Sequence, residues 1–159
     1  MRKRYWRSGF TLPEIIVTMG IVTILFSIAA VPTYRTINNT AVTSVYESFT
    51  ADLKAQQMKA MEGSSLGGNL VNTWGVKIFP DRYELFAGNY AAGSGSNVVI
   101  TVPDEMTLNS DASNGEIKFS RLSGEVEGLT SGNLQAITFS QSGQQKILRI
   151  NRYGKVVAE

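Results

Sequence analysis

An uncharged apolar run near the N-terminus limits most strongly what this 159-residue chain can fold into. No charged residue occurs from Ile15 to Tyr34, and a run of this length reaches the roughly 20 residues that a helix needs to cross a hydrocarbon core. A leader, residues 1–9, precedes the run with four positive charges and no acid. Positive residues beside an apolar span stay in the cytoplasm. The sequence therefore predicts one membrane-spanning helix over residues 10–34, with the N-terminus in the cytoplasm and residues 35–159 on the periplasmic or extracellular side of the inner (plasma) membrane.

The order of the leader and the apolar run differs from that of an ordinary secretory signal. A secretory signal is cut after its apolar stretch, whereas the small residues Ser8 and Gly9 come before this one. Cleavage after Gly9 would leave the apolar segment on the mature protein, with a new amino terminus at Phe10. It would also change the formal charge from +2 to −2, because the leader holds four of the 15 basic residues and none of the 13 acids. The basic leader is therefore no argument for a nucleic-acid partner.

Glu14 is the one acid at the start of the apolar run. A carboxylate within a membrane helix costs up to about 3 kcal/mol at the bilayer centre and less near the interface, so a charge there needs a partner. The amine that cleavage creates at Phe10 of a neighbouring copy would supply one. We therefore expect Gly9 and Phe10 to form a cleavage site and Glu14 to act in filament assembly. The alternative is that Glu14 reaches the lipid headgroups and the helix is only an anchor for a binding domain that does not polymerise.

The helical pattern continues beyond the apolar run with a different character. Pro32 removes a backbone hydrogen bond inside the pattern, which predicts a kink there. Residues 35–62 have a largely apolar stripe at alternating spacings of four and three residues, typical of an amphipathic helix. The members of this stripe are Val42, Tyr46, Phe49, Leu53, Gln56 and Ala60.

The C-terminal part of the sequence has the pattern of short β-strands. Runs of β-branched and aromatic residues between residues 74 and 157 are separated by glycine-containing turns, of which Asn114-Gly115 is the clearest. These turns predict an antiparallel sheet with one apolar face on the amphipathic helix. The predicted fold class is therefore α+β, with a long N-terminal helix packed on an antiparallel β-sheet.

The chain contains neither Cys nor His, which excludes disulfides, Ser-His-Asp triads and the usual zinc sites. No cluster of carboxylates and lysines suggests another kind of active site, so we assign no catalytic residue, no metal ligand and no cofactor. Asp104, Glu105 and Asp111 do not have the spacing of a calcium-binding loop. The composition favours a structural or binding protein.

The sequence Gly9-Phe-Thr-Leu-Pro-Glu14, the basic leader and the apolar run to Pro32-Thr-Tyr34 resemble the prepilin signature of type IV pilins and type II secretion pseudopilins. This resemblance implies the pilin fold, cleavage between Gly9 and Phe10 by a prepilin peptidase, N-methylation of Phe10, and assembly with other pilin or pseudopilin subunits through Glu14. Two departures are visible. Pro13 replaces the commoner aliphatic residue, and Pro32 lies one position later than in the most frequent pattern.

The rest of the chain resembles the minor pseudopilin H/FimT group in its last hairpin, residues 147–156, which implies a minor component of a secretion pseudopilus or a pilus. In the FimT branch, basic residues near the C-terminus are associated with DNA uptake. The cations in the corresponding part of this chain are Lys146, Arg149, Arg152 and Lys155. They are candidate DNA-binding residues, and the alternative is that they are the solvated face of an edge strand, where Lys and Arg prevent aggregation.

Overall fold

The computed structural model describes residues 9–157, and for residues 28–40 and residue 69 it describes the backbone alone. The chain divides into two compact units, Met1–Ile37 and Asn38–Glu159. The predicted leader falls largely on residues 1–8, which lie outside the described residues. One continuous helix, α1, covers Leu12–Met61 and confirms the predicted helical pattern. Over the residues that the structure describes, no helical stretch is both long enough and apolar enough to cross a membrane.

Two predictions concern the part of α1 whose side chains are outside the description. The kink at Pro32 and the end of the membrane span at residue 34 both fall within residues 28–40, which are helical in backbone. Both therefore stay predictions.

The C-terminal end of α1 is closed by a glycine. Gly63 has a φ of +67°, its N–H donates to the carbonyl of Ala60 at 3.1 Å, and the N–H of Ser64 donates to the carbonyl of Lys59 at 3.0 Å. This pair of bonds is the Schellman motif, in which a left-handed residue satisfies the last helical carbonyls. The flexible Gly-Ser sequence after Glu62 thus ends the helix as the sequence predicted.

Ten short strands follow α1 in the described part of the chain, and most lie where the sequence pattern predicts them. They are β1 Ser65–Leu66, β2 Asn69–Leu70, β3 Thr73–Ile78, β4 Arg82–Ala87, β5 Val98–Thr101, β6 Met106–Ser110, β7 Glu116–Ser120, β8 Leu134–Gln141, β9 Gln144–Asn151 and β10 Val156–Val157. A 3₁₀ turn at Ser113–Gly115 holds the predicted Asn-Gly turn, with positive φ at Asn114 and Gly115.

The strands form two four-stranded antiparallel sheets and one small hairpin, rather than the single sheet that we expected. The first sheet has the order β5-β4-β3-β7, the second has the order β10-β9-β8-β6, and β1 pairs with β2. Residues 121–133 separate β7 from β8, and their contribution to strand pairing is one isolated bridge, Phe119 to Val126. Glycines with positive φ at positions 124, 128 and 132 interrupt pairing there. Val126 therefore pairs with β7 as an isolated bridge and not as part of a strand.

The apolar stripe of α1 packs against both sheets. Phe49 is fully buried, and its ring makes edge-to-face contacts with Tyr83 of β4 at 5.0 Å and with Phe139 of β8 at 5.3 Å. Val42, Leu53, Gln56 and Ala60 are buried on the same face, which confirms the amphipathic helix. The α+β fold, with an N-terminal helix packed on antiparallel β-structure, is therefore confirmed.

Candidate processing and assembly site

The start of α1 has one of the two hydrogen bonds of a capping box. Thr11 lies directly before the first helical residue, and its carbonyl accepts the N–H of Ile15 at 3.2 Å. The Oε2 atom of Glu14 accepts a hydrogen bond from the N–H of Thr11 at 3.5 Å. A Thr followed three residues later by a Glu is the sequence signature of this motif, and an acid in the first turn also suits the helix dipole. Glu14 therefore has a local structural partner that our sequence analysis did not consider, although the spacing contained the signal.

The predicted cleavage position is accessible. Gly9 is exposed, and no atom lies within 4 Å of the place that a Cβ would occupy. The ring of Phe10 is 77% exposed. A peptidase could therefore reach the backbone on both sides of the Gly9–Phe10 bond.

The first turns of α1 expose apolar side chains all round the helix. Between residues 10 and 27, eleven large apolar residues are at least 46% exposed: Phe10, Leu12, Ile15, Ile16, Val17, Met19, Ile21, Val22, Ile24, Leu25 and Phe26. A helix that is apolar on every side is normally covered by protein or by lipid. This surface is therefore incomplete in the single chain.

The polar residues of this segment satisfy their own hydroxyl groups. The hydroxyl of Thr18 donates to the carbonyl of Glu14 at 2.9 Å, that of Thr23 to Met19 at 2.8 Å, and that of Ser27 to Thr23 at 2.9 Å. Such bonds to the preceding turn satisfy these three hydroxyl donors without water. These residues therefore do not oppose burial of the segment in an apolar environment.

The four C-terminal cations do not share one surface. On β9, the ammonium of Lys146 lies 5.4 Å from the ring centre of Tyr46 on α1. Arg149 is three residues later, and side chains an odd number of residues apart on a strand point to opposite faces. Arg152 pairs with Glu125 at 2.7 Å, and this hydrogen-bonded carboxylate raises the pKa of the guanidinium. Lys155 is exposed. DNA binding by these residues stays a prediction, and their placement adds no support to it.

One of the acids considered as a calcium ligand accepts a hydrogen bond from the backbone instead. The Oδ1 atom of Asp111 accepts a hydrogen bond from the N–H of Ala136 at 2.8 Å, next to β8. Among the residues that the structure describes, no group of three or more His, Cys, Asp or Glu side chains is placed to hold a metal ion.

A buried carboxylate in the first sheet is a feature that sequence reasoning missed. Glu84 on β4 is 6% exposed, and it accepts hydrogen bonds from the Nε of Arg82 at 3.2 Å, the hydroxyl of Tyr90 at 3.0 Å and the Nδ2 of Asn97 at 3.3 Å. Burial of the phenol and its bond to Glu84 raise the pKa of Tyr90. Glu84 therefore ties β4 to both ends of the loop that leads into β5.

Two comparisons with known proteins agree with these observations, one of the sequence and one of the fold. Residues 7–30 match the family model described as the prokaryotic N-terminal methylation motif. A crystal structure of the type IV minor pilin FimU from Pseudomonas aeruginosa has a TM-score of 0.55 to this structure, covering 80% of this chain and 91% of that chain at 15% identity. The chain therefore combines an N-terminal methylation motif with a fold similar to that of a type IV minor pilin. No curated protein sequence matches it significantly.

The sequence match and the structural likeness cover different parts of the chain. The motif spans Gly9, Phe10 and Glu14, while the structural likeness, at 15% identity, shows the fold. The pilin-like family and the fold class predicted from the sequence are thereby confirmed. The roles predicted for Gly9, Phe10, Glu14 and Pro32 stay predictions.

Proposed function

We propose that this type IV pilin-like protein is a minor subunit of a type II secretion pseudopilus or a type IV pilus-like filament. In this proposal a prepilin peptidase cleaves between Gly9 and Phe10, Phe10 is N-methylated, and the helix that begins at Leu12 then anchors the chain in the inner membrane before assembly. The observation that carries the proposal is the match of residues 7–30 to the methylation motif, on a helix whose apolar side chains are exposed all round.

Lipid and neighbouring subunits would cover the exposed apolar surface in turn. Burial of apolar surface contributes about 25 cal/mol per Å², so a helix that is apolar on every side is stabilised both by insertion and by packing against like helices. The uncharged sequence from Ile15 to Tyr34 supports anchoring, because it is long enough for a hydrocarbon core. The role is structural and requires no catalytic group.

Glu14 would have different partners before and after assembly. In the single chain its carboxylate caps the helix through the N–H of Thr11, at 3.5 Å. That neutral donor leaves the negative charge uncompensated, and an unpaired charge is costly in an apolar environment. In the filament the ammonium group of Phe10 from a neighbouring subunit would pair with it and fix the axial offset of the two helices.

Two substitutions of Glu14 separate the capping role from the charge-pairing role. Glu14→Gln keeps an oxygen that can accept from Thr11, since Gln also serves in a capping box, but it removes the charge. Glu14→Ala removes both. We expect both variants to be cleaved and methylated like the unchanged chain, and neither to enter filaments.

The measurement is made in cells that contain an active prepilin peptidase. Mass spectrometry of the membrane-extracted chain reports the loss of residues 1–9 and the added methyl group, and immunoblotting of sheared filaments reports incorporation. Normal incorporation of Glu14→Gln, with loss for Glu14→Ala, would show that capping and not charge is needed. Normal incorporation of both would support a singly anchored binding domain that does not polymerise. Retention of Met1 beside a correctly processed control prepilin would refute the processing step.

A further inference from the structure

A groove lies between the last turns of α1 and the turn that joins β9 to β10. It has a volume of about 510 Å³, and its lining includes Lys54 and Met58 of α1 and Tyr153 and Lys155 of the turn. Met58 and Tyr153 are 59% and 62% exposed, and residues of both types are enriched at protein interfaces. This lysine groove therefore combines an apolar surface with one lysine on each of its two walls.

The two walls of the lysine groove are held together by hydrogen bonds. The Nε2 of Gln57 on α1 donates to the carbonyl of Tyr153 at 2.7 Å. The Oδ1 of Asn151 accepts the N–H groups of Tyr153 and Lys155 at 3.0 and 3.1 Å. Gly154 has a φ of +71°, and a Cβ there would collide with the amide of Gln57, so the close approach of the turn to α1 requires glycine. A surface that is already ordered loses less conformational entropy when it binds.

The two lysines of the groove carry uncompensated charge. Lys54 and Lys155 are exposed, and neither forms an ion pair with a residue in the described part of the chain. In contrast, Arg152 on the same turn pairs with Glu125 at 2.7 Å. Because charges across an interface are usually complementary, the groove suits an occupant that has acidic groups beside an apolar residue.

The same chain exposes this complementary chemistry on the loop between β5 and β6. Asp104 and Glu105 are the only two consecutive acids in the sequence, and both are exposed, as is Pro103 before them. Over the residues that the structure describes, neither acid forms an ion pair. The N–H of Met106 donates to the carbonyl of Pro103 at 3.1 Å, and the Nε2 of Gln141 donates to that of Asp104 at 3.3 Å. Residues 103–105, the acidic loop, are therefore held in place.

The acidic loop and the lysine groove lie at opposite ends of the second sheet. The loop leads directly into Met106, which pairs with Gln141 at the end of β8. The turn that forms the groove follows Asn151, which pairs with Leu134 at the start of β8. Because β8 has eight residues, about 25 Å separates these two ends. The loop therefore cannot fill the groove of its own chain, whereas it can reach the groove of another copy.

We propose that the lysine groove binds the acidic loop of a second copy of this chain. The two carboxylates of the loop pair with the two ammonium groups of the groove, and the ring of Pro103 packs against Met58 and Tyr153. The contact joins unlike surfaces, so each copy can use its loop and its groove at the same time, and copies can associate head to tail into an open chain. The proposal does not rest on processing or assembly at the N-terminus.

The first test is the association of the full-length chain in non-ionic detergent micelles, measured by sedimentation over a range of protein and salt concentrations. The unchanged chain should associate, and more weakly at high salt because exposed charges are screened. Lys155→Glu and Asp104→Lys should each weaken association by about tenfold, because each replaces an attraction with a repulsion. A mixture of the two variants should associate again, since the unchanged loop of one fits the unchanged groove of the other.

The matched controls reverse a charge at other exposed positions, both on α1. Lys59→Glu changes the net charge as Lys155→Glu does, and Glu47→Lys changes it as Asp104→Lys does. Both controls should associate like the unchanged chain. All four positions are exposed, so circular dichroism should show an unchanged fold in each variant.

The absence of Cys from the chain allows a second, independent test. Copies that carry Tyr153→Cys are mixed with copies that carry Pro103→Cys under mild oxidation. The mixture should form disulfide-linked dimers, whereas either variant alone should form few, because a disulfide requires the two residues to lie close together. In the control mixture Leu70→Cys, at a position 70% exposed on β2, replaces Tyr153→Cys and should give few dimers as well.

A chain that stays monomeric up to its solubility limit would overturn the proposal. Association that Lys155→Glu and Asp104→Lys leave unchanged would overturn it as well, since the exposed apolar residues near the N-terminus would then suffice. Cross-linking that is equally fast in the control mixture, or in either cysteine variant alone, would also contradict it. Failure of the Glu14 variants to enter filaments would leave these results unaffected, because the groove and the loop both lie within the unit Asn38–Glu159.

Discussion

At the scale of single residues, one hydroxyl connects the helix to the first sheet. The phenol of Tyr83 donates to Oδ2 of Asp52 on α1 at 2.7 Å, and the Tyr83 ring is 1% exposed. We expect Tyr83→Phe to lower the free energy of unfolding by about 1.5 kcal/mol, because the change removes a hydrogen bond to a charged acceptor while keeping the buried ring. Urea denaturation at neutral pH measures this loss. Tyr153→Phe, at a ring that is 62% exposed, is the matched control and should have little effect.

The ionisation of Tyr83 makes the stability difference between the unchanged chain and Tyr83→Phe depend on pH. Burial, and then the hydrogen bond to Asp52, raise the pKa of Tyr83 above its ordinary value. A group whose folded-state pKa is raised contributes its full stability below the unfolded-state value, about 10, and loses that contribution as the pH rises through the folded-state value. The stability difference between the unchanged chain and Tyr83→Phe should therefore be constant at neutral pH and decrease above about pH 10. An equal stability of the two chains at neutral pH would show that the Tyr83–Asp52 bond contributes nothing.

At the scale of elements, Gln57 holds α1 against two turns that are far apart in sequence. Its Nε2 donates to the carbonyl of Gly124 at 2.9 Å and to the carbonyl of Tyr153 at 2.7 Å. Gln57→Ala should lower the free energy of unfolding by about 1–2 kcal/mol, the sum of two ordinary hydrogen bonds, although Ala is a good helix former. Met58→Ala, one residue later and 59% exposed, is the control. Hydrogen exchange should show faster exchange around both turns in Gln57→Ala, and an unchanged exchange pattern would contradict the proposed bracing.

The elements also show what the sequence could and could not predict. The stripe of α1 and most strands follow from local periodicity, and the glycine-containing turns between strands follow because glycine permits left-handed backbone. The division into two sheets could not be predicted in this way. It depends on which distant strands pair, and on residues 121–133, whose glycines prevent β7 and β8 from joining. Gln57 was missed for the same reason, since both its acceptors are brought to it by the tertiary fold.

At the scale of the whole molecule, the processing and assembly site at the N-terminus and the cluster around Glu84 differ in how far the local sequence predicts them. Gly9, Phe10 and Glu14 are recognisable because six consecutive residues hold the complete motif. The Glu84 cluster joins positions 82 to 97 through a buried carboxylate, and a Glu between apolar neighbours in a strand is normally expected on the solvated face. Its burial is possible because Arg82, Tyr90 and Asn97 all donate to it. That arrangement requires the folded loop and has no local signature.

The division of the chain into two units leads to a prediction about independent folding. All the buried apolar side chains of the core that the structure describes lie between Val42 and Ile150, within the unit Asn38–Glu159. A fragment from Thr36 to Glu159 therefore retains the complete core and should be soluble and fold cooperatively. Its urea midpoint should equal that of the full-length chain within error, because the described core lies entirely within the fragment.

Circular dichroism and urea denaturation of the Thr36–Glu159 fragment measure this directly, with the full-length chain in detergent as the reference. The exposed apolar side chains of residues 10–27 are absent from the fragment, so its solubility should not require detergent. A broad, non-cooperative transition would show that the packing of α1 on the two sheets needs the N-terminal unit. Because the stripe from Val42 to Ala60 makes its core contacts within Asn38–Glu159, cooperative unfolding is the outcome that the fold requires.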